Sequence, residues 1–179
     1  MPFFSVIILY ETKGGRNMKE MRPTTGKVLL ALFNILGNIN GLSFLDLFSG
    51  SGQVAAAAAK KGAAPVVAVE SERSRASQIM KTAPQSVKVL CLDVRRAAAK
   101  FAKNGYEFDI IFADPPYMLG WGREFIELVS ANDKILTQDG VLIFEHSADE
   151  EPAPLDEAKW QREDRKYGGT VLSFYRRRD

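Results

Sequence analysis

From residue 40 onward, short apolar runs rich in β-branched residues alternate with stretches whose apolar positions fall at helical spacing. That alternation is the signature of repeated β-α units around a parallel sheet. Leu42 to Phe48, Val66 to Glu70, Val87 to Cys91, Phe108 to Ala113 and Val141 to Glu145 read as strands. Helical stretches follow at Gln53 to Lys61, Glu72 to Lys81, Arg95 to Lys103 and Arg123 to Leu136. The first of these is mostly alanine, the strongest helix former, and Gly62 is placed to stop it. In the last, Phe125, Leu128, Val129 and Leu136 repeat at helical spacing between Gly122 and Gly140. Ahead of the first strand, Thr24 or Thr25 can cap a helix reaching about Leu36, with Val28, Leu29, Leu32, Phe33 and Leu36 as its apolar face. At the far end, Trp160 to Tyr167 and Thr170 to Tyr175 flank Gly168 and Gly169, which reads as an antiparallel hairpin. The fold expected is α/β: a seven-stranded, mostly parallel sheet with an antiparallel C-terminal hairpin and helices on both faces. Phe3 to Tyr10 reads as a strand of a small β extension over residues 1–22, leaving residues 23–179 as one domain.

A chain of 179 residues with 46% hydrophobic and 26% charged positions suits a single globular unit and excludes disorder, collagen and coiled coil. Burying roughly 70% of its unfolded surface, it needs no staples. Cys91 stands alone and no Cys/His cluster has zinc spacing, so no metal is expected and a reducing compartment, the cytoplasm, is. No apolar run reaches the ~18 residues of a membrane span. With no obvious apolar surface stripe, a monomer is expected. The net charge of +2 conceals basic ends and an acidic middle: residues 1–30 carry five Lys/Arg against two acids, residues 158–179 seven against three. Ends that converge would form a surface for a polyanion such as nucleic acid, and ends that do not would only solubilise the chain.

In open α/β sheets the ligand binds beyond the carboxyl ends of the strands. The first strand runs into Asp46-Leu47-Phe48-Ser49-Gly50-Ser51-Gly52, whose glycines allow a tight turn with backbone close to a ligand. Gly50 and Gly52 alone would also fit a dinucleotide site. Asp46 separates the two readings, because a carboxylate there repels a pyrophosphate and attracts the ammonium and sulfonium of S-adenosylmethionine. Glu70 ends the second strand and can accept ribose hydroxyls. Asp93 follows the third strand, where it or a neighbouring amide can meet adenine, or where it caps the helix that begins near Arg95. Acids at 46, 70, 93 and 114 thus follow four successive strands.

The fourth strand delivers Asp114-Pro115-Pro116-Tyr117, the most specific stretch in the chain. Prolines fix the backbone and offer no amide donors, so the Pro115 carbonyl is available as an acceptor. An exocyclic base amine is a poor nucleophile because its lone pair is spread into the ring. Accepting its two hydrogens on the Asp114 carboxylate and the Pro115 carbonyl aims that lone pair at a methyl donor. Tyr117 would stack on the base, a contact worth roughly 1–3 kcal/mol. Met118 and Trp121 follow in a loop with Gly120 and Gly122, which either closes over the base or is a plain surface loop.

Asp114 to Tyr117 resembles the D/N-P-P-Y/F motif of amino-group methyltransferases, and Leu45 to Gly52 resembles their donor-binding motif. Arg22-Pro23-Thr24-Thr25, Val28, Ala31 to Asn34 and the closing Tyr167-Gly168-Gly169-Thr170 make the chain similar to bacterial guanine-N2 methyltransferases of 16S ribosomal RNA over residues 20–179. The resemblance implies a class I methyltransferase domain, S-adenosylmethionine as donor and guanine in small-subunit RNA as acceptor. It puts the Arg22 to Thr25 segment beside the donor pocket, and with the reading of the residues above the candidates are Asp46, Phe48, Gly50, Gly52, Glu70, Asp93 and Thr25 for the donor, Asp114, Pro115 and Tyr117 for the amine, and Arg22, Pro116 and Trp121 for the RNA. The chain departs from the family pattern at Gly26, Lys27, Leu29 and Leu30, at Ala57, and at Arg16, Asn17 and Lys19, positions that bear on RNA contacts more than on transfer. The rivals are an adenine-N6 methyltransferase, against which the short chain argues, a donor-binding RNA assembly factor without turnover, and an NAD-binding module. His146 is expected to stand outside the chemistry and Cys91 to be a small core residue.

Overall fold

The structure, a computed structural model, describes residues 26–117 and 120–178. The β extension, Arg22, the Thr24 or Thr25 cap, Thr25 itself and Met118 lie outside the described residues. In chain order the elements are α1 (Gly26–Leu36), β1 (Phe44–Leu47), α2 (Gln53–Lys60), β2 (Val66–Glu70), α3 (Arg73–Thr82), β3 (Val87–Cys91), α4 (Val94–Lys103), β4 (Phe108–Ala113), α5 (Trp121–Ala131), a 3-10 turn (Asp133–Ile135), β5 (Leu136–Ser147), β6 (Trp160–Tyr167) and β7 (Thr170–Arg177). The seven strands form one sheet in the order β3-β2-β1-β4-β5-β7-β6. β1 pairs in parallel with both β2 and β4, and β7 lies antiparallel between β5 and β6. The chain therefore winds outward from β1 in one direction, returns, and winds outward in the other, which makes the gap beyond β1 and β4 the place for a ligand.

Strand alternation splits the core into two layers. Phe44, Val66, Ala68, Ile110, Phe112, Val141 and Ile143 pack with Val28, Leu32 and Phe33 of α1, Val54, Ala55 and Ala58 of α2 and Ile79 of α3. Leu45, Leu47, Val67, Val69, Ile111, Ala113, Leu142 and Phe144 face the other way, against Val94, Ala97 and Phe101 of α4 and Phe125 and Ile126 of α5. Phe125 lies flat on Phe144, with centroids 4.5 Å apart and planes 9° apart. The alanines of α2 let it sit close on the sheet, and Gly62 ends the turn after it at φ 87°, a left-handed conformation that favours glycine.

Three boundaries differ from the sequence expectation. β1 is shorter than Leu42 to Phe48, because Leu42 is exposed ahead of the pairing and Phe48 turns into the left-handed region at φ 65°. The helix expected from Arg123 to Leu136 starts at Trp121 and stops at Ala131, where the Asn132 side chain donates to the Leu128 carbonyl at 2.9 Å and competes with the helical ladder. Leu136 then begins a strand far longer than Val141 to Glu145, and Gly140 lies inside that strand rather than beyond a helix; a Cβ there would meet Leu136 Cδ1 at 2.8 Å. Cys91 is half-buried rather than a core residue, since β3 is an edge strand on which only Val87 is buried.

Phe112 sits at the centre of the α1/α2/α3 layer, 1% exposed. Phe112→Ala is expected to lower unfolding stability by about 3–5 kcal/mol, the usual loss for a fully buried phenylalanine, read as a shift of the urea midpoint with little change in slope.

Candidate active site

Four acids stand at or just past the carboxyl ends of β1, β2, β4 and β5: Asp46, Glu70, Asp114 and Glu145. Alternation puts all four on the α1/α2/α3 side, each two residues beyond a buried apolar residue of that layer: Phe44, Ala68, Phe112 and Ile143. Asp46, Glu70 and Glu145 are buried, and Asp114 is half-buried. They are spread along the sheet edge, and among the described residues no three of His, Cys, Asp and Glu are arranged to hold a metal ion.

The turn after β1 has Phe48, Gly50 and Gly52 all at positive φ, 65°, 53° and 77°. At Gly52 a Cβ would come within 2.8 Å of Ile79 Cγ2, so the turn is pressed against α3 and needs glycine there. Two of the acids hold this turn. The Gly50 amide donates to Glu70 Oε2 at 2.9 Å, and the Ala55 amide in the first turn of α2 donates to Asp46 Oδ2 at 3.1 Å. Burial lifts the Asp46 carboxyl to about 8; the Ala55 amide opposes the rise, and the charges of Asp114 and Glu70 add to it.

Glu70 does more than end a strand. Its Oε1 accepts from the Glu72 amide at 2.8 Å and pairs with Arg75 Nη2 at 2.9 Å, so contacts within the protein engage both oxygens. Asp93 caps α4: Oδ1 accepts from the Arg95 amide at 2.9 Å and Oδ2 pairs with Arg95 Nη1 at 3.0 Å. The capping role is therefore the one observed for it. Trp121 opens α5 rather than lying in a free loop. Its ring stands edge-on to Phe48, centroids 4.6 Å apart, beneath the Arg95 guanidinium at 4.5 Å; Arg95 also pairs with Glu124. Phe48 and Trp121 thus form one wall beside the glycine turn.

Pro115 is buried, and Pro116 and Tyr117 are half-buried. The Tyr117 hydroxyl turns inward, 3.3 Å from Glu145 Oε1 and 3.5 Å from Thr170 Oγ1. Burial raises its pKa, Thr170 opposes the rise, and Glu145 and Asp114 reinforce it, so the phenol stays protonated and donating. Sequence reasoning missed Glu145 as a member of the acidic row and gave Thr170 no role. A strand read as ending at Glu145 carries the signal for the first; the second depends on long-range pairing. His146 alternates to the other side, with Nε2 2.8 Å from the Ser173 hydroxyl and Nδ1 2.9 and 2.8 Å from the Ser147 and Glu150 carbonyls, away from the acids.

The site holds a row of strand-end acids, a glycine turn, an aromatic wall and a proline-fixed strand end, an arrangement suited to a cationic nucleoside. A family model described as conserved hypothetical protein 95 matches residues 14–176. Ribosomal RNA small subunit methyltransferase D of Escherichia coli is 32% identical over 153 residues, 84% of this chain and 76% of that protein. YlbH of Bacillus subtilis is 29% identical over 187 residues, 96% of this chain and 98% of its own length. The solved structure of yhhF from Escherichia coli superposes with a TM-score of 0.76 at 26% identity, covering 88% of each chain. The sheet order and these likenesses place the fold among the class I methyltransferases. The chain belongs to the conserved hypothetical protein 95 family, whose relatives here include ribosomal RNA small subunit methyltransferase D.

Proposed function

We propose that the protein transfers a methyl group from S-adenosylmethionine to the exocyclic N2 amine of a guanine in small-subunit ribosomal RNA. The observation that carries this reading is the row of Asp46, Glu70, Asp114 and Glu145 on one side of the sheet edge, beside Pro115, Pro116 and Tyr117. The likeness to a small subunit ribosomal RNA methyltransferase supports RNA as the acceptor.

The residues fit the donor on chemical grounds. A buried carboxyl poised near neutrality, with two more acids close enough to raise its pKa, is a poor seat for a pyrophosphate and a good one for a ligand bearing ammonium and sulfonium charge. On this reading Asp46 with Gly50 and Gly52 holds the amino-acid end, Glu70 the ribose, the backbone at Asp93 the adenine, and Phe48 with Trp121 one wall, with Thr25 beside the pocket. S-adenosylmethionine supplies an electrophilic methyl on a cationic sulfur. The Asp114 carboxylate and the Pro115 carbonyl accept the two hydrogens of the guanine amine, localise its lone pair and stabilise the positive charge that develops on nitrogen. The proton then leaves to water, and no activated nucleophile is required. Tyr117 stacks on the extruded base, while Pro116 and Arg22 contact the RNA. The protein acts in the cytoplasm as a monomer; the exposed large apolar side chains among the described residues, Leu30, Ile35, Leu42 and Met80, are scattered over three parts of the chain.

The direct test supplies methyl-labelled S-adenosylmethionine and small subunits lacking the modification, then identifies the labelled nucleoside by mass spectrometry. N2-methylguanosine is expected. N6-methyladenosine would replace the substrate, and donor binding without label would turn the reading towards a non-catalytic factor. Asp114→Ala should abolish transfer yet leave donor affinity within about threefold, whereas Glu70→Ala should weaken donor binding about 10- to 100-fold, the loss expected for hydrogen bonds to a charged group. Calorimetry on the two variants separates these roles, and an unchanged donor affinity in Glu70→Ala removes that residue from the pocket.

Asp46 also predicts a pH dependence. Its folded-state pKa of about 8 exceeds the ordinary carboxylate value of 3.8, so between these limits the folded chain holds a proton that the unfolded chain has lost. The ligand-free protein should therefore lose stability as pH rises from about 4 to about 8. Asp46→Asn should flatten that decline in urea midpoints measured across the range; a decline of the same steepness would show that another group causes it.

A further inference from the structure

The closing segment Tyr167-Gly168-Gly169-Thr170 has no part in holding donor or amine, yet its last residue reaches the site. Gly168 at φ 63° closes a two-residue turn that pairs Tyr167 with Thr170, and the Ala148 amide donates to the Gly169 carbonyl at 2.9 Å, tying the turn to the end of β5. That tie leaves Thr170 opposite Ser147 in the register, and the Thr170 hydroxyl stands 3.5 Å from the Tyr117 hydroxyl. Glu145, on the same side of β5, lies 3.3 Å from the same atom. Both separations exceed the usual O–H···O distance of about 2.7 Å; the phenol sits between two oxygens rather than tight on one.

We infer that Thr170, together with Glu145, is a positioning residue that fixes the Tyr117 ring for the acceptor base, making the C-terminal hairpin part of acceptor recognition. The inference rests on the reading of Tyr117 as the stacking residue. An ionised carboxylate only accepts, so the phenol donates to Glu145, and the Thr170 hydroxyl then donates to the phenol oxygen. The phenol oxygen lies on the long axis of the ring. Anchoring it stops the side chain swinging about χ1, a motion that would carry the ring away from a stacked base. At the other end of the residue, Pro115 and Pro116 fix the backbone that delivers it. The side chain is held from both ends before any base arrives, which is how a stacking platform avoids ordering itself at the moment of binding.

The test is steady-state kinetics on the RNA substrate with Tyr117→Phe, Thr170→Val, Thr170→Ser and the double variant Tyr117→Phe/Thr170→Val. Each of Tyr117→Phe and Thr170→Val should lower kcat/KM for RNA about 3- to 10-fold, the scale of one hydrogen bond. The double variant should lose no more than Tyr117→Phe alone, because that substitution already removes the contact that Thr170→Val breaks. Thr170→Ser should restore activity to within about twofold of the unsubstituted chain, while KM for S-adenosylmethionine stays unchanged in all four. Losses that multiply in the double, a Thr170→Ser as impaired as Thr170→Val, or singles within twofold of the unsubstituted chain would each overturn the positioning role while methyl transfer stands. Absence of RNA methylation by the unsubstituted chain would instead overturn the functional reading, and this inference with it.

Discussion

Asp46 lies near the carboxyl end of β1, the strand at which the chain reverses its winding, and burial there strips its carboxyl of water. A charge in such a place needs donors or a cation beside it. The Ala55 amide provides one donor, and the nearest acids, Asp114 and Glu70, push the other way. The first turn of α2 is placed where its Ala55 amide reaches that carboxyl. Shortening α2 or moving its first turn would remove the amide; a Cβ at Gly52 would push the turn off Ile79. By itself the carboxyl thus holds its proton up to about pH 8, and a positive group beside it would favour the ionised form.

The same acids also serve the fold, and that division explains which of them look engaged. Glu70 ties the glycine turn to the start of α3 through the Gly50 and Glu72 amides and the Arg75 guanidinium. Asp93 closes the N-terminus of α4. These contacts fix the walls of the cleft before a ligand binds, which limits the ordering that binding would otherwise require. Each carboxylate oxygen carries two lone pairs, so a Glu70 oxygen that accepts one amide still has capacity for a hydroxyl.

The parts of the fold that were legible in the sequence are those written in local periodicity. Strands β2 to β4, the alanine helix with its glycine stop, the hairpin and the glycine turn all follow from patterns within ten or so residues. The misread boundaries depend on distant partners. Leu136 looks like the end of an apolar helical stripe and becomes a strand because it pairs with Phe108, while Asn132 turns its amide back on the helix. Cys91 looks like a core residue and is half-buried because β3 has a neighbour on only one side. Asp114 to Tyr117 could be singled out in the sequence because proline and acid restrict the chemistry by themselves. Thr170 was not, because an ordinary threonine acquires its role only when β7 pairs with β5 beside Tyr117.

β5 shows how one strand joins stability to recognition. Glu145 and His146 are consecutive, so the pleat sends them to opposite layers. His146 reaches the Ser173 hydroxyl, which donates to Asp164 at 2.7 Å, and Asp164 accepts both arms of Arg162; the network clamps β5, β7 and β6 together across the sheet. Its Nδ1 lies within hydrogen-bond reach of the Ser147 and Glu150 carbonyls, which ties in the segment after β5. That clamp sets the register of the hairpin, and the register sets where Thr170 stands. The hydrogen bonds that hold the hairpin therefore lie on the face away from the acids, while their consequence appears on the face with them: an edge strand pair placed firmly enough to hold the far end of Tyr117.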